Sequence, residues 1–326
     1  MLEEVLNNTK LWNANAIIGN FGRRISASNG LNPAWLDNKI KALSQYENIS
    51  YDRLTHPEQK FSVPILRLKG RIPKKKVLLQ AIHADEWAAT EAIIRFVDDW
   101  GMNKVAKEIK NNYDITVIPL LSIDKFPKYY GSRNYHSDAR FETIEPELDS
   151  AEMVIELHES SIKNQSKILT PFVYSLYGLS LINSYLIFAS SERKKARDGA
   201  QSVMKEFKKL CSSDVEIMYS NDGELIEKIT SELHELEVET NKSACSYSRR
   251  KTTADGKRTY GIELCSDWGE AGEPILLFFT GMMTYPLTEI STYLNRTFRK
   301  EQIKQSRLQS AENGVKVIKS ILTANL

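Results

Sequence analysis

Between residues 77 and 82 the chain reads VLLQAI, an almost unbroken apolar run that follows the basic turn RIPKKK. A short run of this kind is the pattern of a strand buried on both faces. The period then changes. Ala88, Ala92, Phe96 and Trp100 recur at spacing four and Gly101 follows, so EWAATEAIIRFVDDWG predicts an amphipathic helix ending at the glycine. Further apolar runs predict strands in YDITVIPLL (113–121), AEMVIELH (151–158), YGIELC (260–265) and PILLFFTGMM (274–283). Helical spacing marks 194–211, and the stretch 292–322 reads as one or two closing helices. Residues 1–50 read as largely helical. Residues 50–70 become strand-like near their end, with Leu66 and Leu68 on one face and Arg67 and Lys69 on the other. Strands alternating with helices predict an α/β layered fold around a mostly parallel or mixed sheet. No repeat or Pro/Gly/Ser-rich linker divides the chain. The expectation is a single domain over 1–326, with a lead-in at 1–59, a core at 60–285 and C-terminal helices at 286–326.

Composition changes this picture little. The 326 residues carry a formal charge of +2 and are 41% hydrophobic, which suits a globular protein with a sizeable core. The balanced charge supplies no argument for nucleic acid or a membrane surface as partner. The apolar stretch 171–190 is broken by serines, tyrosines, an asparagine and a glycine. It reads as a strand, a turn and the start of a buried helix rather than a span. The acidic N-terminal stretch does not read as a secretory signal. Cys211, Cys245 and Cys265 are odd in number and form no Cys-x-x-Cys pair, against both a disulfide framework and a cysteine zinc site. A reducing cytoplasm is the expected compartment.

The chemistry gathers at strand ends, where open α/β sheets place their ligand sites. KVLLQAIH stops on His83, with Glu86 three residues on. MVIELH ends on His158. YGIELC carries Glu263 within it. Two histidines and a carboxylate are a standard ligand set for catalytic zinc, leaving a fourth position for water. A further carboxylate is then needed as general base, and Glu263 is the candidate: a carboxylate in a core strand is costly unless something uses it. An arginine would stabilise the oxyanion. Arg133 and Arg140, in the loop GSRNYHSDARFE between two site-bearing strands, are the candidates. Glu156 alternates onto the same face as His158, either supporting that residue or merely ion-paired.

These motifs, in this order, resemble the zinc carboxypeptidase superfamily, which includes the metallocarboxypeptidases and the succinylglutamate desuccinylase/aspartoacylase deacylases. HADE stands where that family has His-Gly-x-Glu, IELHE where it has Asp/Glu-Leu-His, and YGIEL where it has Thr-x-Glu-Leu; SVPILRLKG resembles its preceding strand. The resemblance spans roughly residues 60 to 285. It implies a three-layer α/β/α fold with a mixed, mostly parallel sheet, one Zn2+ per chain held by His83, Glu86 and His158, and Glu263 as base. It also implies Arg140 as the binder of a substrate carboxylate and Arg133 as the oxyanion residue. Ala139 stands where the family has the asparagine of an Asn-Arg pair, and SIDKF replaces Asn-Pro-Asp-Gly. Both departures bear on carboxypeptidase specificity rather than on the metal site. The family's segment before the Glu263 strand supplies a tyrosine, here Tyr247, with Tyr260 as the second candidate.

Other features read more plainly. A second His-x-x-Glu, His234–Glu237, follows no apolar strand and lies among seven acids between Asp222 and Glu239, the pattern of a solvated face. His56 reads as a turn residue and His136 as part of a surface loop. The loop 241–259 holds six basic residues against one acid. Its Arg249 and Arg250 either favour an acidic substrate or form a solvated loop. The expectation is a zinc-dependent hydrolase that cleaves an amide bond by attack of metal-bound water. A metallocarboxypeptidase-like peptidase comes first and an N-acyl amino acid deacylase second. A catalytically degenerate binding protein and a structural protein are the remaining readings.

Overall fold

The computed structural model describes residues 33–56, 62–83, 86–121, 139–161, 185–189, 258–266 and 300–326, with most of 202–210. Helix α1 (Pro33–Leu43) leads into β1 (Ile49–Thr55), β2 (Ser62–Leu68) and β3 (Lys75–Ala81). Then come α2 (Trp87–Gly101), α3 (Lys107–Asn112), β4 (Tyr113–Ile118), α4 (Ala139–Ser150), β5 (Met153–Ser161), β6 (Tyr185–Ala189), β7 (Arg258–Ser266) and α5 (Lys300–Ala324).

Among the described residues the strands form one seven-stranded sheet in the order β1-β2-β4-β3-β5-β7-β6. The central strands β4, β3, β5 and β7 are mutually parallel, and β2 and β6 run antiparallel to their neighbours β4 and β7. With β1 antiparallel to β2, all the strands but β2 and β6 point the same way. The parallel centre needs cover on both faces, because crossovers place helices there. Strand β3 shows why it sits in the middle: Val77, Leu78, Leu79, Gln80, Ala81 and Ile82 are all buried.

Alternation along the strands divides the core in two. Val77, Leu79 and Ala81 of β3, Met153, Ile155 and Leu157 of β5, and Tyr260, Ile262 and Leu264 of β7 face α1, α2 and α5. Leu78, Ile82, Val154, Val63 and Ile65 face Ile144 and Leu148 of α4. The result is helix, sheet, helix in three layers. On the first face Ala88, Ala92, Phe96 and Trp100 of α2 are fully buried, as spacing four requires. Helix α5 approaches α2 and β7 at Gly314, where a Cβ would lie 2.7 Å from that of Ala92 and 3.0 Å from a methyl of Leu264.

Three elements differ from the sequence expectation. ISYDRLT forms the edge strand β1, although its charged residues weaken the strand signal; pairing with β2 supplies the order that propensity does not. Residues 185–189, read as the start of a buried helix, are strand β6 paired antiparallel with β7. A short apolar run cannot by itself choose between helix and strand, and the sheet edge decides. Residues 139–140, expected in a loop, open helix α4. The strand expected at 274–283 lies outside the described residues.

Candidate metal centre

The chain leaves β3, runs through α2 and α3, and returns as β4 on one side of β3. It then passes through α4 and enters β5 on the other side. Strand order therefore reverses at β3, with α2 on one face and α4 on the other. Beyond the carboxyl ends of β3 and β5 this topology leaves a crevice, the usual place for a ligand in a sheet of this kind.

Three side chains converge there. His83 follows β3 by two residues. The Glu86 amide donates to the His83 carbonyl at 3.3 Å, and Glu86 stands at the N-terminal boundary of α2. His158 lies inside β5. His83 Nδ1 is 2.6 Å from Glu86 Oε1, His158 Nδ1 is 3.1 Å from Glu86 Oε2, and the two Nδ1 atoms face each other at 3.3 Å. The rings are tilted by 53° with centroids 5.0 Å apart. One ligand atom from each residue lies within 4.8 Å of the other two.

This donor set fits a metal ion. Zinc bonds of about 2.0–2.2 Å to nitrogen and carboxylate oxygen require ligand atoms a little over 3 Å apart. The observed separations are close to that, and they are shortest where His83 and Glu86 bond each other. Glu86 and His158 are buried, whereas the His83 side chain is 20% exposed and forms the accessible side of the cluster.

The electrostatics follow from burial and mutual contact. Burial raises the Glu86 carboxyl, but the two histidines outweigh it and hold the group down to about 2. Burial likewise disfavours the His158 imidazolium, but Glu86 and Glu156 outweigh it and push the ring up to about 10. Without an ion the cluster is thus a buried ion pair. An ion in the same place would replace proton charge with metal charge.

Behind His158, Glu156 is fully buried and its Oε1 accepts from the His158 Nε2–H at 2.6 Å. Gln80 of β3 donates to the other oxygen of Glu156 at 3.2 Å. A carboxylate on the far nitrogen of a histidine fixes its tautomer and orients the near nitrogen, the common arrangement around histidine ligands. Here it turns Nδ1 toward His83 and Glu86.

The remaining expected residues divide. Glu263 lies in β7, paired in register with His158 of the neighbouring parallel strand. Arg140 falls in the first turn of α4. Arg133, Tyr247, Arg249 and Arg250 lie outside the described residues, as do His136 and the His234–Glu237 pair. His56 directly follows β1 and is buried, with Nε2 3.2 Å from Glu142 of α4. Sequence reasoning passed over Glu159 and Arg307. Glu159 sits on the opposite face of β5 from His158, and both its oxygens bond the Arg307 guanidinium. The available signal was a carboxylate directly after His158 in the strand pattern MVIELHE.

No protein-family model matches the sequence, and no curated protein is similar to it at the level of sequence. Solved structures are similar in fold. A metallo-carboxypeptidase from Burkholderia cenocepacia matches with a TM-score of 0.50 at 14% identity, over 88% of this chain and 68% of that one. Bovine thrombin-activatable fibrinolysis inhibitor, in its complex with tick carboxypeptidase inhibitor, matches with a TM-score of 0.50 at 11% identity, over 90% of this chain and 96% of that one. At such identities the likeness speaks for the fold alone. This chain therefore has an α/β fold like that of the carboxypeptidases, with a His-Glu-His cluster able to hold a metal ion at the carboxyl ends of its central strands.

Proposed function

We propose that the protein is a zinc-dependent hydrolase that cleaves an amide bond, most simply as a metallocarboxypeptidase-like peptidase releasing a C-terminal residue. The observation that carries this reading is the convergence of His83 Nδ1, Glu86 and His158 Nδ1 at the reversal of strand order. These three residues would hold the ion. When bound, zinc supplies a water acidified to a pKa of about 7 and a Lewis acid for the substrate carbonyl.

The chain's own residues do the rest. Glu156 holds His158 in the tautomer that presents Nδ1. Glu263, in register beside His158, takes the proton from the attacking water and passes it to the leaving amine. Arg133 steadies the oxyanion, and Arg140 binds the substrate's terminal carboxylate. Tyr247, Arg249 and Arg250 contact the substrate from the loop ahead of β7.

Zinc content of tag-free protein, after loading and removal of excess, is the first test. About one zinc per chain is expected. A hydrolysis screen then follows over peptides with free C-termini and over N-acyl amino acids. Release of C-terminal residues supports the peptidase, and cleavage of acyl amino acids alone moves the reading to a deacylase. Retained zinc with no hydrolysis points to a binding role. Absence of retained metal overturns the proposal.

A further inference from the structure

The side of β5 turned away from the metal cluster carries a second concentration of charge. Glu159 is next in sequence to His158, and alternation sends it to the face covered by α2 and α5. There its side chain is fully buried. Arg307, from the first third of α5, donates Nε to one oxygen at 2.8 Å and Nη2 to the other at 2.7 Å. The backbone N–H of Ala88, in the first turn of α2, donates to the second oxygen at 2.7 Å. The Ser266 hydroxyl, at the end of β7, donates to the first. The Arg307 guanidinium also lies over the Trp87 ring, 5.6 Å from its centroid.

Apart from Arg307, these groups lie on elements that carry a member of the candidate centre. Ala88 and Trp87 follow Glu86 directly. Glu159 follows His158. Ser266 is on the same strand as Glu263. A helix start has N–H groups without intrahelical partners, and a boundary residue with an acceptor side chain usually meets one. Glu86 occupies that boundary but makes no capping bond, because its carboxylate is turned to the histidines. Glu159 satisfies the helix start in its place, and an anion there is also favoured by the helix dipole. Arg307 in turn neutralises Glu159 through a two-pronged contact that fixes the carboxylate plane.

We infer that Glu159 and Arg307 are positioning residues for the metal centre, through which α5, a helix that supplies no ligand to the cluster, sets where Glu86 and His158 stand. The inference rests on the metal-centre reading. Without the clamp the start of α2 and the end of β5 are free to shift against each other, and ligand atoms need placement to a fraction of an ångström.

The test uses the full chain, freed of metal and titrated with zinc and with cobalt(II), whose visible bands report ligand geometry. Arg307→Met leaves Glu159 buried and uncompensated, so it also lowers fold stability. Glu159→Leu combined with Arg307→Met removes both charges, and apolar replacement of a buried pair restores stability in many proteins. The expected result is that the double variant melts above the single one. Both should bind zinc about 10–100-fold more weakly than wild type and show altered cobalt bands. Wild-type zinc affinity and an unchanged cobalt spectrum in the double variant would make the pair a purely structural brace and overturn the inference. Wild-type protein that binds neither ion would overturn the metal-centre reading itself, and the inference with it.

Discussion

Glu156 occupies no ligand position, yet it decides which way His158 presents its ring. It accepts the Nε2–H at 2.6 Å from two residues upstream on the same strand, and Gln80 steadies it from β3. Glu156→Ala should weaken zinc binding by about 10–100-fold, read by competition with a chromophoric chelator, while the far-ultraviolet circular dichroism stays that of the wild type. Glu263→Gln tests a different role. It should retain the metal and lose about 10²–10⁴ in kcat, the usual worth of a general acid–base group; full activity would remove Glu263 from the mechanism. The buried Glu86–His158 pair also predicts a pH signature in metal-free protein. The Glu86 carboxyl is held down to about 2, so its contribution is present above its ordinary value of 4.5 and fades as pH falls toward 2. His158 is pushed up to about 10, so its contribution is complete below 6.5 and is lost as pH rises through 10. The stability lost on Glu86→Gln should therefore be greatest between pH 4.5 and 6.5 and shrink on either side, as measured by urea unfolding of the two apo proteins.

At the scale of elements, α2 is the piece that joins core to site. Its apolar face packs on the sheet and on α5, its start carries Glu86, and both its ends are tied by other elements. Ala88 gives its N–H to Glu159. At the far end Lys110 donates to the Trp100 carbonyl at 2.8 Å and to Asn103 at 2.6 Å, with its ammonium 5.5 Å from the Trp100 ring centroid. Asn103 turns the chain in the left-handed region, with φ of 59°, where asparagine is among the better tolerated residues. Packing of α5 on α2 depends on Gly314, which lets the two helices meet at the Ala92 methyl. Gly314→Val should cost about 1–3 kcal/mol through overpacking, read as a lower urea midpoint. Its effect on zinc affinity should be smaller than that of Arg307→Met, since Gly314 touches α2 away from its first turn.

For the whole molecule, an ion held by His83, Glu86 and His158 would fasten the end of β3, the start of α2 and the middle of β5 at a single point. Because the unfolded chain does not preserve that geometry, binding energy becomes folding energy. Zinc at a free concentration a thousandfold above its Kd should add about 4 kcal/mol to stability. The melting temperature should rise on loading and fall back with a chelator. Loading without any shift would mean that the ion binds the folded and the unfolded chain equally. Among the described residues no helix is long and apolar enough to cross a membrane.

By itself the sequence determined the elements whose signals are strong and local. The apolar run of β3, the spacing of α2, the strands β4, β5 and β7 and the closing helix α5 follow from periodicities that hydrophobic burial imposes on any chain. It also marked His83, Glu86 and His158 as residues that meet, because parallel strands deliver the residues at their carboxyl ends to one crevice. Tertiary structure alone decided the rest. The charged edge strand β1 owes its conformation to pairing with β2, the next strand of the chain, and the strand over 185–189 owes its own to β7, a partner distant in sequence. Helix α4 owes its place to the apolar face of β2, β3 and β5 that Ile144 and Leu148 cover. Which side of β5 each glutamate serves was readable from alternation, but what each one meets was not. Glu156 turns to His158 two residues away, while Glu159 turns to an arginine 148 positions along the chain. A contact of that separation has no trace in local pattern, since only the folded packing of α5 on α2 and β7 brings its two charges together.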